Sequence, residues 1–344
     1  MWNPETYVDT DYGLDEGESF EPDDAWEPEP FDTSQPHVMT VLGPVSPADL
    51  GITQAFERIQ IPIANASTPE PAWLAELGAF RDELEFFVTA GGGTLVDGST
   101  PDSGRNLDVL VTLAQLVPAN LIASAGRGPD RADSTMPGAG DEELLYAELM
   151  GDLQADIKPG LLTFAIGEHG GTAVEWANMR AAARVAVETG YPLRVGLDSF
   201  ASAGRLLDDL EQAGVDLKRL IVGQIDAGWS LDTLTAIGHR GAYLAFDRVG
   251  QGSADLDRER ARLIVQLAEA GLADRLLVSQ GLAGPGQFIS HGGAPGWIHL
   301  IERFTLTLMD AGADALLVRN VLIDNPEQAL TIHPPGADGE HAPL

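Results

Sequence analysis

The chain has 344 residues, enough to bury one large core, and carries 53 acidic against 20 basic residues for a net charge of −33. It has no cysteine, which excludes disulfides, thiolate metal sites and a cysteine nucleophile. Such a surface repels nucleic acid and anionic membranes, and no apolar run approaches the ~20 residues that span a bilayer.

The first 36 residues hold 12 of the acidic side chains, no lysine or arginine, and five prolines. They lack helical or strand periodicity, so residues 1–36 are expected to be a disordered acidic tail. Trp2, Tyr7, Tyr12, Phe20, Trp26 and Phe31 are spaced through the acid. That alternation suits a segment docking on a basic, apolar groove of a protein partner, and equally a solvating tail. No basic segment followed by an apolar core marks a secretory signal, so a cytoplasmic location is expected. The acidity itself fits a GC-rich genome, a high-salt cytoplasm or a basic partner.

From residue 38 onward short apolar runs alternate with longer amphipathic stretches, the pattern of repeated β-α units. Strands are predicted over 51–56, 94–98, 121–124, 161–166, 193–197, 220–225, 243–246 and 276–279. Helices lie between them, for example over 175–189 and 257–270, the second closed by Gly271. Eight such strands favour a closed (β/α)8 TIM barrel over an open doubly wound sheet. The barrel is expected over residues 37–332, with 38–45 covering its bottom or forming a small hairpin, and 333–344 as a flexible tail. Function in such a barrel sits at the C-terminal strand ends: 56–58, 97–99, 125–128, 166–169, 196–198, 224–226, 247–249 and 280–282.

Several segments, in order, carry a family resemblance. They are Thr40-Val41-Leu42-Gly43-Pro44-Val45, Leu50-Gly51-Ile52-Thr53, the run 91–97, Gly104-Arg105-Asn106, the run 214–223 with Asp226, Gly241-Ala242-Tyr243 with Phe246-Asp247, and Asp324-Asn325-Pro326. Together they resemble the phosphotriesterase family of the amidohydrolase superfamily, from about residue 38 to 330. The resemblance implies a barrel with two divalent metal ions and hydrolase chemistry at its mouth.

The family's six metal ligands do not recur. Its two first-strand histidines are replaced by Phe56 and Arg58, and its bridging lysine or glutamate by Thr163 or Phe164. The fifth-strand and sixth-strand histidines become Gly196 and Gln224, and the eighth-strand aspartate becomes Gly281. A phenyl ring cannot ligate a metal and a guanidinium repels one. No metal cofactor is therefore expected, the alternative being one zinc or manganese ion in a new site.

That alternative site would draw on Glu168 and His169 after the fourth strand, Asp198 after the fifth and Asp247 after the seventh. The bland reading makes these helix caps and exposed loop residues. Arg58, Gln224, Asp226 and His291 are candidate ligand-binding residues, with Arg58 either plugging the mouth against nearby carboxylates or anchoring an anion. The other histidines show no paired metal spacing, and the glycine runs match no nucleotide-binding motif. Three functions follow: a catalytically degenerate barrel (a pseudoenzyme) serving as a binding or assembly subunit; a metal-dependent hydrolase of phosphoesters or lactones using a rearranged site; or a small-anion-binding barrel. The first is the expectation, with homo- or heterodimers implied by the resemblance alone.

Overall fold

A computed structural model of the chain describes residues 31–59, 70–128, 140–226 and 228–336. The acidic tail expected over 1–36 lies outside these as far as residue 30, as does the end of the chain from residue 337.

The run 38–45 is a hairpin, β1 (Val38–Thr40) antiparallel to β2 (Gly43–Val45). It also covers the barrel floor, because Val38 packs with Leu50, Ala55, Val96, Ile122 and Leu161. Paired backbone hydrogen bonds between His37 and Ile332 tie this end of the fold to the last helix (3.2 and 2.7 Å).

Eight parallel strands follow in sequential order: β3 (Ile52–Glu57), β4 (Gly92–Asp97), β5 (Asn120–Arg127), β6 (Leu161–Ile166), β7 (Leu193–Leu197), β8 (Leu220–Gly223), β9 (Tyr243–Phe246) and β10 (Leu276–Val278). The last meets the first just beyond its end. Gly281 N donates to Phe56 O at 3.1 Å and Ser279 Oγ to the same oxygen at 2.6 Å. The result is a TIM barrel with interleaved helices, as the count of eight predicted. Strand ends shift by one to three residues at several places, and at β8, which ends at Gly223 two residues early, the cause is Gln224, which turns into left-handed backbone (φ 62°). A ladder cannot continue through that geometry.

Helix starts are encoded locally. Asn106 caps α2 (Leu107–Leu116), Asp141 caps α3 (Glu142–Gln154) and Thr172 caps α4 (Ala173–Thr189). Thr172 and Glu175 form a reciprocal capping box, and α4 stops at Gly190, whose φ of 74° an L side chain resists. Apolar helix faces close over the outside of the strands: Leu145 and Leu149 of α3 and Trp176 and Met179 of α4 share one buried cluster with Leu162 and Phe164. Each such side chain contributes about 1.5–3 kcal/mol on burial.

Inside the barrel the chemistry changes with height. Ala55, Val96, Ile122, Leu161, Ile221, Tyr243, Ala245 and Leu277 fill the lower layers. Above them, Thr163, Arg194 and Asp247 are equally buried but polar. Burying a charge without partners costs many kcal/mol, so this upper layer is where the fold commits itself to polar interactions.

Candidate functional site

Arg194 of β7 rises into the upper layer at 2% exposure. Its Nη2 donates to Asp247 Oδ2 at the end of β9, and its Nη1 reaches Thr163 Oγ1 of β6 at 3.4 Å. The guanidinium carbon stands 3.5 Å from the centroid of the Phe56 ring, a cation-π contact shielded from water. A register irregularity between Gln54 and Glu57 accompanies this placing of Phe56. Four strands thus converge on one cation.

Glycines give the cation room. A Cβ at Gly223 would lie 2.3 Å from Arg194 Nη2 and 2.6 Å from Asp247 Oδ2. A Cβ at Gly196 would lie 2.7 Å from Gln224 Oε1. Gln224, the one non-glycine residue with positive φ among the described residues, donates its backbone N–H to Asp247 Oδ2 at 3.0 Å. Holding an L residue there costs on the order of 1 kcal/mol, offset by that charge-assisted bond.

Behind Asp247 the network continues outward. Asp226 accepts from the N–H groups of Asp247 (2.9 Å) and Arg248 (3.3 Å) and from Arg260 Nε (3.1 Å). Burial and the Asp247 charge push the Asp226 carboxyl up to about 6, with Arg260 opposing. Arg260 Nη1 also donates to Asp257 Oδ1 (2.7 Å), whose other oxygen meets His299 Nε2 at 3.0 Å. On the opposite side, burial raises Asp97 to about 6 while its Oδ1 accepts from Ile59 N and Ser99 N.

Two polar atoms of the central pair have no protein partner. Arg194 Nε and Asp247 Oδ1 are both buried and unpaired. Native proteins rarely leave such atoms empty-handed, so water or a ligand group is their expected complement.

The sequence candidates divide accordingly. Phe56, Thr163, Gly196, Gln224 and Asp247 come together around Arg194, with Asp226 one step behind. Thr163, not Phe164, touches the guanidinium; Phe164 packs in the cluster between strands and helices. Gly281 sits at the β10–β3 seam with φ 57°, and a Cβ there would lie 2.6 Å from Asp247 O. Arg58 is half-buried, its guanidinium carbon 5.8 Å from the Phe56 ring. Glu168 and Asp198 are exposed on the rim. Partial burial raises the Asp198 carboxyl, Arg248 opposes this, and Glu168 and Glu175 add to it. The side chain of His169 lies outside what the structure describes. His291 turns away to α1 (Glu70–Thr89), where its Nε2 meets Glu76 Oε2 at 3.0 Å beside Phe80 and Phe288.

Arg194 escaped the sequence reading altogether. Its signal was there, a lone charge in the apolar strand Leu193-Arg194-Val195-Gly196-Leu197, which a buried strand tolerates only with a partner.

The two metal ions that the resemblance implies do not fit these residues. Neutral or cationic groups stand at the six ligand positions, and a guanidinium lies among them, already paired with Asp247. Among the described residues no three His, Asp or Glu side chains converge as a metal site.

The chain matches the phosphotriesterase family over residues 36–330. It is 25% identical to an N-acetyltaurine hydrolase of Xenopus tropicalis, covering 86% of this chain and 97% of that protein. A resiniferatoxin-binding protein from Rhodobacter sphaeroides superposes with a TM-score of 0.76 at 25% identity, over 86% of this chain and 94% of that one. A lactonase from Listeria monocytogenes shares the fold, with a TM-score of 0.74 at 21% identity, over 86% and 99%. Relatives named as hydrolases along nearly their full length overturn the expectation of a pseudoenzyme serving as a binding or assembly subunit. The physical reason is local: the mouth holds a charged, buried pair, Arg194 with Asp247, and not an inert apolar plug.

Proposed function

The chain belongs to the phosphotriesterase family, and from that premise we propose that it is a hydrolase of carboxylic amides or esters acting at the barrel mouth. The observation that carries this reading is the Arg194–Asp247 pair, in which Arg194 Nε and Asp247 Oδ1 are buried without partners. Its support from relatives is the run of N-acetyltaurine hydrolases, which by name act on an acyl compound.

In this reading Asp247 Oδ1 holds the attacking water. The water oxygen bonds to the acyl carbon as its proton passes to Asp247. The carbon–nitrogen or carbon–oxygen bond then breaks, and the leaving amine or alcohol takes that proton away. Asp247 ends as it began. Gln224 N–H keeps the second carboxylate oxygen fixed, so the base is oriented before the substrate arrives. Thr163 and Phe56 hold the guanidinium from the other side.

The test is a panel of N-acyl amino acids, N-acyl aminosulfonates, lactones and aryl phosphotriesters offered to the purified full chain. Release of free amine or acid, abolished in Asp247→Asn, supports the reading. Turnover that survives Asp247→Asn at the parental rate removes Asp247 from it, and silence across the acyl panel removes the hydrolase.

A further inference from the structure

We infer that the guanidinium of Arg194 is the resident cation of this barrel, standing in for divalent metal and presenting its Nε–H to the acyl oxygen of the substrate. The inference takes its reaction from the hydrolase reading above, but its geometry stands without it.

The surroundings of Arg194 are fitted to a guanidinium and to nothing smaller. The Phe56 ring centroid lies 3.5 Å from its carbon, Thr163 Oγ1 meets Nη1, and Asp247 balances its charge. Gly223 supplies the space, since any Cβ there would stand 2.3 Å from Nη2. An aromatic face, a hydroxyl acceptor, a carboxylate and an absent side chain, drawn from four strands, suit the planar, multiply donating shape of arginine. A divalent ion placed here would meet like charge, and with Asp247 Oδ2 taken by Arg194 and Gln224 it would find Oδ1 as a lone carboxylate donor where a catalytic metal needs at least three ligands. The same pair leaves Arg194 Nε and Asp247 Oδ1 buried without partners.

Carbonyl addition concentrates charge on a single oxygen, and the partnerless Nε–H is a fixed donor that can meet it.

The experiment compares the full-length protein with Arg194→Ala, using methylguanidinium as the probe. Protein from zinc- and manganese-supplemented medium is expected to carry less than ~0.1 metal per chain by elemental analysis. Its melting temperature should move with neither EDTA nor added zinc. Arg194→Ala should melt lower, recover in melting temperature with millimolar methylguanidinium, and regain acyl turnover over the same concentrations, while the parent protein is unaffected. If Arg194→Ala does not fold, the charge-neutral pair Arg194→Met with Asp247→Asn takes its place, expected to fold and to lose turnover. One or two tightly held ions per parent chain, a zinc-dependent rise in melting temperature, absence of rescue in a folded Arg194→Ala, or full turnover in the neutral pair each overturns the inference. If the parent protein turns over no acyl compound, the hydrolase reading fails by itself. Metal content and methylguanidinium rescue of the melting temperature still decide whether Arg194 is the resident cation.

Discussion

Glu57 and Trp297, 240 residues apart in sequence, meet at the seam of the barrel, the indole Nε1 donating to Glu57 Oε2 at 3.1 Å. The same carboxylate accepts the N–H groups of Gln280 (2.7 Å), Gly281 (3.1 Å) and Leu282 (3.0 Å). Trp297 N in turn donates to Glu83 of α1 at 3.1 Å, and Ser290 N to the other Glu83 oxygen at 2.9 Å. Two buried carboxylates thus anchor the loop after β10 to the first strand and the first helix. This clasp closes the barrel where β10 and β3 share no ladder of their own.

Trp297→Phe keeps the ring packed against Phe80 and Phe288 and deletes one hydrogen bond to a buried carboxylate. Equilibrium urea unfolding at neutral pH, below the raised Glu57 value, should show a loss of about 0.5–1.5 kcal/mol. An unchanged midpoint would mean that the backbone donors alone close the seam.

Stability should fall as pH rises from about 4 to about 8. Burial pushes Glu57 up to about 8 against the pull of its four N–H donors, and Asp97 and Asp226 to about 6. A carboxyl raised in the folded state binds more protons folded than unfolded, so its contribution is fullest below the unfolded value and is lost as pH climbs through the folded one. Melting temperatures across that range, compared with Glu57→Gln, read the slope directly. A flat parent profile over pH 4–8 would contradict the assignment.

Gly223→Ala should disturb the centre more than its single methyl suggests. The added carbon would stand 2.3 Å from Arg194 Nη2, so the ion pair must shift. Overpacking of this kind costs about 1–3 kcal/mol. The acyl turnover proposed above should fall with it, and a variant with parental stability and rate would show that the mouth yields freely.

Asp247→Asn leaves Arg194 buried without its counter-charge, a loss of about 3–5 kcal/mol. Coupling it with Arg194→Met should return most of that stability, because two neutral partners no longer need each other. A double-mutant cycle by thermal unfolding measures the coupling. Additive losses would show that the two residues do not act as a pair.

The strand and helix pattern was open to reading from sequence alone, because apolar runs, caps and glycine stops are short-range physics. Eight predicted strands became eight strands, and Gly271 closes the helix after β9 with a φ of 87° as its position implied. The site was legible only by subtraction. The family resemblance pointed to Phe56, Thr163, Gly196, Gln224 and Gly281 as positions at the mouth, and nothing in their spacing showed which group they surround. Arg58, beside Phe56 in sequence, drew attention as the cation of the mouth, while Arg194 fills the centre from a strand more than a hundred residues later.

The chain by itself determined its class: parallel β-α repeats and a strongly acidic composition. Those are properties of residue type and local period, which need no third dimension. Tertiary structure decided what fills the mouth. Arg194, Asp247, Thr163, Phe56 and Gly223 lie on five strands, and a charge pair across such distances in sequence forms only when closure brings strand ends within contact. Burial then makes the pairing obligatory, because neither charge can remain alone in a dry barrel.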